Sequence, residues 1–159
     1  MPSNPQARVL AVDDDQDACE MLHVLLESHG IDAKCVRSVA AAKLALAVET
    51  FDLYLLDSWL PQVDGFEFCR QLRASDSHTP ILFYSGAAYD TDKQRGLAAG
   101  ANGYVAKPDV EALIETISNL IANARTEVVG RDWEAARGPS LERSSGSLSL
   151  SAHISASGA

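Results

Sequence analysis

Short apolar runs alternate with amphipathic segments along most of the chain. An apolar run without polar alternation favours a parallel strand that is buried on both faces. The five runs of this kind are RVLAV at 8–12, IDAKCV at 31–36, DLYLL at 52–56, ILFY at 81–84 and GYVA at 103–106. Each run is followed by a segment typical of a helix, so the pattern predicts a strand and then a helix, repeated five times.

The helices are predicted from apolar residues that recur at helical spacing and so form one stripe along each segment. The first four predicted helices cover 17–29, 39–49, 66–73 and 90–99, and a final helix carries an apolar stripe from Val110 to Ile121. The stripe of the second helix is predicted to consist of Ala41, Leu44, Ala45 and Val48. The fourth helix is interrupted by Gly96 and has little beyond Leu97 to pack against a sheet.

Strict alternation of strands and helices with short loops predicts an α/β fold. Right-handed crossovers then place helices on both faces of a parallel sheet. The expected arrangement is a flavodoxin-like, doubly wound (βα)5 three-layer sandwich with strand order 2-1-3-4-5. Residues 1–7 are expected to form an N-terminal arm and 8–124 the domain. Residues 125–159 are rich in Ser, Gly and Ala and predict a flexible or loosely docked tail, within which 126–137 could form a short helix.

Composition and charge limit the classes of function. With 47% apolar and 22% charged residues, and no apolar run near the ~20 residues that span a bilayer, the chain is expected to be cytoplasmic, without membrane insertion. The whole net charge of −9 falls on residues 1–124, because acidic and basic residues are equal in number in 125–159. An acidic domain without a basic stripe argues against direct binding of nucleic acid, and it suits a cation or a basic partner.

Three cysteines, Cys19, Cys35 and Cys69, lie within predicted elements and include no CxxC pair. This pattern favours reduced core residues over a disulfide or a metal site.

Polar residues that could form a chemical site follow the first, third, fourth and fifth predicted strands. The first strand ends at Asp13 and Asp14, the third at Asp57, the fourth at Ser85 and the fifth at Lys107. The carboxyl ends of parallel strands lie at one edge of a sheet, so these side chains are expected to converge. Clustered carboxylates suit Mg²⁺, or Mn²⁺, and together with a lysine and a hydroxyl they are the parts of a phosphoryl-transfer site.

From Arg8 to Ala124 the chain resembles the receiver domain of two-component response regulators. The motifs that carry the resemblance are the Asp13-Asp14 pair, LLDSWLPQVDG around Asp57, Ser85 after ILFY, and GANGYVAKP, which contains Tyr104 and leads to Lys107-Pro108. The resemblance implies that Asp57 accepts a phosphoryl group from a phosphohistidine on a sensor histidine kinase or phosphotransfer protein. It also implies that the Lys107-Pro108 bond is often cis.

The same resemblance implies a role for each site residue. Asp14, Asp57 and the backbone carbonyl of Trp59 would ligate Mg²⁺, and Asp13 would hold it through water. Lys107 and Ser85 would bind phosphoryl oxygens. Ser85 and Tyr104 would form the switch, with Tyr104 rotating into the space that Ser85 leaves.

A changed surface on the fourth helix, fifth strand and fifth helix would bind a downstream protein effector. The chain is expected to be a monomer or weak homodimer, and not an enzyme beyond its own phosphorylation and dephosphorylation.

Two alternatives remain open. The chain could be a receiver-like scaffold that does not turn over phosphate. It could also be a phosphohydrolase of the haloacid dehalogenase type, with Asp13 as nucleophile, because Asp13-x-Asp15, Ser85 and Lys107 follow the order of residues in that family. The chain lacks the later acidic pair and the cap insertion of such hydrolases.

Three positions depart from the receiver pattern. Trp59 is large, and Ala87 offers no polar group to guide water, so slow loss of the phosphoryl group is expected. Asp109 stands where an apolar aromatic residue is frequent after Lys-Pro, which would alter the partner surface.

Overall fold

Five strands and five helices alternate in the computed structural model of the chain, which describes residues 5–137. The strands are β1 (Arg8–Val12), β2 (Asp32–Val36), β3 (Leu53–Leu56), β4 (Ile81–Ser85) and β5 (Gly103–Ala106). The helices are α1 (Gln16–Ser28), α2 (Val39–Val48), α3 (Gly65–Ser75), α4 (Asp90–Ala98) and α5 (Val110–Arg137). Apart from the end of α5, every boundary lies within about two residues of the prediction, which is the usual uncertainty of a helix or strand end.

The strands form one parallel sheet in the order β2-β1-β3-β4-β5. Val12 at the end of β1 pairs with Val36 on one side and Leu56 on the other. At the far edge Ser85 pairs with Ala106. The predicted α/β, doubly wound, flavodoxin-like fold is therefore confirmed, and the register brings the carboxyl ends of the five strands to one edge.

Alternate residues of the central strands face two separate hydrophobic cores. In β3, Leu53 and Leu55 pack with α1 and α5, whereas Tyr54 and Leu56 pack with α2, α3 and the turn that follows α4. The helix residues of the first core are Leu22, Leu26, Leu113, Ile117 and Ile121. Those of the second core include Ala42, Ala45, Phe68, Cys69 and Leu72. Burial on both faces explains why the strands are apolar without alternation.

Polar side chains define the starts of three helices. Asp15, Ser38 and Asp64 each accept a hydrogen bond from a backbone N–H in the first turn of α1, α2 and α3, respectively. Such N-caps satisfy backbone donors that have no partner within the helix.

Gly96 in α4 is buried, and a Cβ there would lie 3.0 Å from the ring of Tyr104 and 3.1 Å from that of Phe83. The glycine that weakens the sequence signal of α4 thus allows the helix to lie close to β4 and β5.

The predicted apolar stripe of α2 is wrong for Leu44 and Val48, whereas Ala45 is buried as predicted. Leu44 is 74% exposed and Val48 is 81% exposed. The buried residues of the helix are Val39, Ala42 and Ala45. Because α2 is apolar around nearly its whole circumference, its periodicity does not single out the buried face.

Packing contacts separate a unit that ends at Ala124 from one that begins at Arg125. The first part of the predicted tail is helical, since α5 ends at Arg137. The remainder of the predicted tail, 138–159, and residues 1–4 of the predicted arm lie outside the described residues. No helix within 5–137 is both long and apolar enough to cross a membrane.

The prediction that all three cysteines are reduced is wrong for two of them. Cys19, in the first turn of α1, forms a disulfide with Cys35 in β2, with 5.5 Å between their Cα atoms. The two cysteines are 16 positions apart in the chain, so only the packing of α1 against β2 brings them together. Cys69 is free and buried in α3.

Candidate functional site

Three carboxylates meet at the carboxyl edge of the sheet. Asp13 and Asp14 follow β1, Asp57 follows β3, and one oxygen of each lies within 4.8 Å of the others. Asp13 is buried, Asp57 is half-buried and Asp14 is exposed, so the cluster opens to solvent on one side.

Backbone hydrogen bonds hold Asp13 and Asp57, the two less exposed members of the cluster, in place. The Asp13 N–H donates to the Val36 carbonyl at 3.0 Å, and the Asp57 N–H donates to the Val12 carbonyl at 3.0 Å. These bonds continue the ladders of the sheet by one residue beyond β1 and β3. Asp13 Oδ1 also accepts from the Asp15 N–H at 3.0 Å, which orients its carboxylate.

Lys107 reaches the cluster from the end of β5. Its Nζ lies 2.6 Å from Asp13 Oδ2 and 3.5 Å from Asp57 Oδ2. The Lys107-Pro108 peptide bond is cis, as the resemblance implied. An ammonium group in this position offsets the mutual repulsion of the two carboxylates.

The surroundings shift the pKa values of Asp57 and Lys107. Burial raises the pKa of Asp57 above its ordinary value, because desolvation and the charge of Asp13 outweigh the opposing effect of Lys107. Burial by itself would lower the pKa of Lys107. Its hydrogen bond to Asp13 and the charge of Asp57 are stronger, so the pKa of Lys107 is raised and the side chain stays protonated.

The donor set fits a divalent cation. All three ligand groups are carboxylates, and oxygen ligands are those that Mg²⁺ and Mn²⁺ prefer. Trp59, whose carbonyl is a predicted ligand, lies two residues beyond Asp57, and its N–H donates to Asp57 Oδ1 at 3.4 Å. The Trp59 side chain itself is 74% exposed.

Ser85 is fully buried, and its hydroxyl lies 2.5 Å from the hydroxyl of Ser58. It also accepts a hydrogen bond from the Ala87 N–H at 3.2 Å. Sequence reasoning identified Ser85 but missed Ser58, because a serine directly after Asp57 is also what a turn would contain. Ser58 joins the end of β3 to the end of β4 beside the acidic cluster.

Gly65 lets the loop after β3 fold back onto Asp57. A Cβ at this position would lie 2.1 Å from the Asp57 carbonyl oxygen, so a side chain cannot fit without moving the backbone. The Gly65 N–H donates to the Ser58 carbonyl at 3.1 Å. The Asp64-Gly65 pair therefore caps α3 and positions the backbone of the loop that follows β3.

Tyr104, in β5, contacts β4 and the loop that follows it. Its ring stacks on Phe83 with 5.4 Å between centroids, and its hydroxyl donates to the Ala87 carbonyl. Ala87 therefore has one hydrogen bond to Ser85 and another to Tyr104, so a short chain of contacts links the two predicted switch residues.

Comparison with known proteins agrees with this architecture. A sequence model of the response regulator receiver domain matches residues 9–118. The DNA-binding response regulator MtrA of Mycolicibacterium smegmatis is 40% identical over 101 residues, which are 64% of this chain and 44% of that protein. The transcriptional regulatory protein GltR of Pseudomonas aeruginosa is 34% identical over 128 residues, which are 78% of this chain and 53% of that protein. The chain thus spans about half the length of these curated relatives.

Solved structures of similar proteins share the fold. The chemotaxis response regulator CheY4 of Vibrio cholerae is 30% identical, with a TM-score of 0.67, and the match covers 72% of this chain and 98% of that one. A CheY-like receiver domain protein from Methanospirillum hungatei is 25% identical, with a TM-score of 0.71, and covers 76% of this chain and 98% of that one. On its sequence, its strand order and the acidic edge of its sheet, the chain belongs to the receiver domain family of two-component response regulators.

Proposed function

We propose that Asp57 accepts a phosphoryl group from a phosphohistidine on a sensor histidine kinase or phosphotransfer protein. An oxygen of the Asp57 carboxylate bonds to phosphorus, the bond between phosphorus and the histidine nitrogen breaks, and the nitrogen retains the electron pair. The product is an acyl phosphate on Asp57. We assign this chemistry to a receiver unit of residues 8–124.

The position of Asp57 carries the proposal. Its side chain is 11% exposed, which leaves it reachable from solvent, and it lies beside both Lys107 and the other two carboxylates. Asp13 is less suited to be a nucleophile, because its side chain is 4% exposed and both its oxygens already accept hydrogen bonds, from the Asp15 N–H and from Lys107. This difference favours the receiver chemistry over a hydrolase in which Asp13 attacks.

Each neighbour has a proposed task. Asp14, Asp57 and the Trp59 carbonyl would hold Mg²⁺ or Mn²⁺, with Asp13 behind them through water. When bound, the cation offsets the negative charge of the incoming phosphoryl group. Lys107, at 3.5 Å from Asp57 Oδ2, would bind a phosphoryl oxygen, and the hydroxyl of Ser85 would donate to another.

The proposed switch follows from the hydrogen bonds around Ala87. A phosphoryl oxygen competes with Ser58 for the Ser85 hydroxyl, so Ser85 moves toward Asp57. Because Ala87 is bonded to both Ser85 and Tyr104, this movement would disturb the position of Tyr104. The surface formed by α4, β5 and the following helix would then change shape and bind a downstream protein effector.

The experiment is intact mass measurement after incubation with Mg²⁺ and acetyl phosphate. We expect one phosphoryl group on the wild type, none on Asp57→Asn, and a reduced yield on Asp13→Asn. Asp17→Asn, which changes an exposed carboxylate in α1, is the matched control and should behave as the wild type. No adduct on a folded, Mg²⁺-binding wild type would favour a scaffold instead. An adduct that depends on Asp13 and not on Asp57 would favour the hydrolase.

A further inference from the structure

The disulfide between Cys19 and Cys35 lies directly beside the acidic cluster. It joins the first turn of α1, which follows the Asp13-Asp14 segment, to β2, whose last residue accepts a hydrogen bond from the Asp13 N–H. Both cysteines are half-buried, so small oxidants and reductants can reach the pair. Cys69, by contrast, is fully buried in α3, and burial raises the pKa of its thiol to about 11.

The residues next to the bridge hold the backbone of both acidic residues. Cys19 Sγ lies 3.4 Å from the Asp13 carbonyl oxygen. Val36, the neighbour of Cys35, accepts a hydrogen bond from the Asp13 N–H at 3.0 Å. Arg37 Nε donates to the Asp14 carbonyl at 3.0 Å. A change in how β2 and α1 are joined therefore acts directly on the segment that carries two of the three carboxylates.

The same surroundings suit the reduced pair. A disulfide sulfur has no proton, so the 3.4 Å approach of Cys19 Sγ to the Asp13 carbonyl is only a contact in the oxidised state. In the dithiol state the Cys19 thiol can donate to that carbonyl, and the Val36 carbonyl lies 4.0 Å from both sulfurs. Reduction would leave two half-buried thiols with hydrogen-bond acceptors in reach. The fold can therefore accommodate both the disulfide and the dithiol without leaving a polar group unpaired.

We propose that Cys19 and Cys35 form a reversible dithiol–disulfide site that regulates the cation affinity of the acidic cluster. The oxidant class is a low-molecular-weight disulfide, such as oxidised glutathione. One cysteine thiolate attacks it and releases one molecule of reduced glutathione, and the second cysteine then attacks the mixed disulfide and releases another. The two protein thiols lose two electrons and two protons, which the two glutathione molecules gain.

The oxidised state is the one with higher affinity. The bridge limits the motion of the first turn of α1 relative to β2, so less conformational entropy is lost when Asp13, Asp14 and Asp57 gather around a cation. The expected difference in Mg²⁺ affinity is about fivefold, the lower end of typical coupling between two sites. This inference rests on the cation role given to the cluster in the proposed function.

The test uses the full chain in its two redox states, prepared with excess oxidised or reduced glutathione. Thiols are counted after denaturation, and Mg²⁺ affinity is measured by calorimetric titration. We expect one remaining thiol and about fivefold tighter binding after oxidation. Cys69→Ala should keep the redox effect on affinity, whereas Cys19→Ser/Cys35→Ser should bind Mg²⁺ equally after either treatment. Three free thiols in the oxidised sample would overturn the proposal. Equal Mg²⁺ affinity in the oxidised and reduced samples would also overturn it, and so would the absence of Mg²⁺ binding in both.

Acetyl phosphate treatment of the same samples separates this inference from the proposed function. An adduct on Asp57 with equal Mg²⁺ affinity in both states leaves the function standing and overturns the redox coupling. A redox-dependent Mg²⁺ affinity without any adduct supports the coupling and removes the phosphoryl chemistry.

Discussion

Asp57 follows β3 and Asp76 follows α3, and the pKa values of their carboxyl groups shift in opposite directions. Burial raises the pKa of Asp57, because Lys107 does not fully offset the loss of hydration. Burial also acts to raise the pKa of Asp76, but hydrogen bonds from Thr79, His78 and Tyr54 outweigh it and the pKa is lowered. An aspartate side chain is therefore more easily protonated at position 57, in the acidic cluster. At position 76, in the loop after α3, it stays ionised and stabilises that loop.

Asp76→Asn should lower the free energy of unfolding by about 1–2 kcal/mol at pH 7, because charged acceptors bind their donors more strongly than neutral ones. Asp76 Oδ1 accepts from the His78 and Thr79 N–H groups at 2.9 and 3.0 Å, and Oδ2 accepts from the Tyr54 hydroxyl at 2.8 Å. A lowered folded-state pKa stabilises the fold above the ordinary carboxyl range, and this contribution is lost as the pH falls below about 4.

Urea unfolding at pH 7 and pH 3 checks this expectation. The difference between wild type and Asp76→Asn should narrow at pH 3, where the unfolded carboxyl is protonated. Tyr54→Phe removes one donor only and should show a smaller change with the same sign. A difference that stays constant with pH would show that the charge of Asp76 does not contribute.

The phosphoryl group on Asp57 is expected to be lost slowly. The Trp59 indole is 74% exposed and carries no carboxylate or amide near Asp57, and the Ala87 side chain is a methyl group. Neither can position an attacking water molecule. Trp59→Asn supplies an amide, so we expect it to shorten the half-life by about threefold to tenfold.

The half-life is measured by following the mass of the phosphorylated protein after the phosphodonor is removed. Trp59→Phe, which keeps an aromatic ring without adding a polar group, is the matched control. A wild-type half-life of seconds, unchanged by Trp59→Asn and by chelation of Mg²⁺, would contradict the explanation.

At the residue scale, the sequence was informative where a polar residue ends an apolar strand. Asp13, Asp14, Asp57 and Lys107 could be found in this way, because a buried strand leaves few reasons for a charge at its end. Ser58 could not, since its pairing with Ser85 depends on the spacing between β3 and β4.

At the scale of the elements, Arg73 holds the end of α3 to the turn between α4 and β5. Its guanidinium donates to the carbonyls of Gly100, Asp76 and Thr79 and to Asn102 Oδ1, at distances between 2.8 and 3.1 Å. This planar group satisfies several acceptors at once, which an ammonium group cannot do with the same geometry.

Arg73→Lys should therefore lower the free energy of unfolding by about 2 kcal/mol, because it leaves part-buried carbonyls without a donor. The matched control is Arg70→Lys. Arg70 pairs with Glu67 on the exposed face of the same helix, with 54% of its side chain exposed, and should change stability by less than about 0.5 kcal/mol. Chemical denaturation of both variants checks the contrast, and equal losses would show that the Arg73 bonds are not the reason.

The positions of the helices and strands could be predicted well from the sequence. The face that each helix buries could be predicted for α1 but not for α2. In α1 the buried residues Leu22 and Leu26 belong to the predicted stripe. In α2, small apolar residues on every side left the buried face undetermined, and Leu44 is exposed. The bridge between Cys19 and Cys35 was missed for a related reason: it depends on how α1 packs against β2, which neither segment encodes alone.

On the scale of the whole molecule, the parallel sheet brings residues that are far apart in the chain into one site. Asp13 and Lys107 are separated by 94 positions, yet their side chains lie 2.6 Å apart. The strand order places β1 and β3 side by side at the centre of the sheet, so the carboxylates of Asp13 and Asp57 become neighbours.

The central claim is that Asp57 is the phosphoryl acceptor, and the most direct measurement is identification of the modified residue. The protein is incubated with Mg²⁺ and acetyl phosphate, the acyl phosphate is reduced with borohydride to homoserine, and peptides are sequenced by mass spectrometry. We predict homoserine at position 57 alone, and none when Mg²⁺ is chelated. Homoserine at position 13, or at neither position in a folded protein that binds Mg²⁺, would contradict the account.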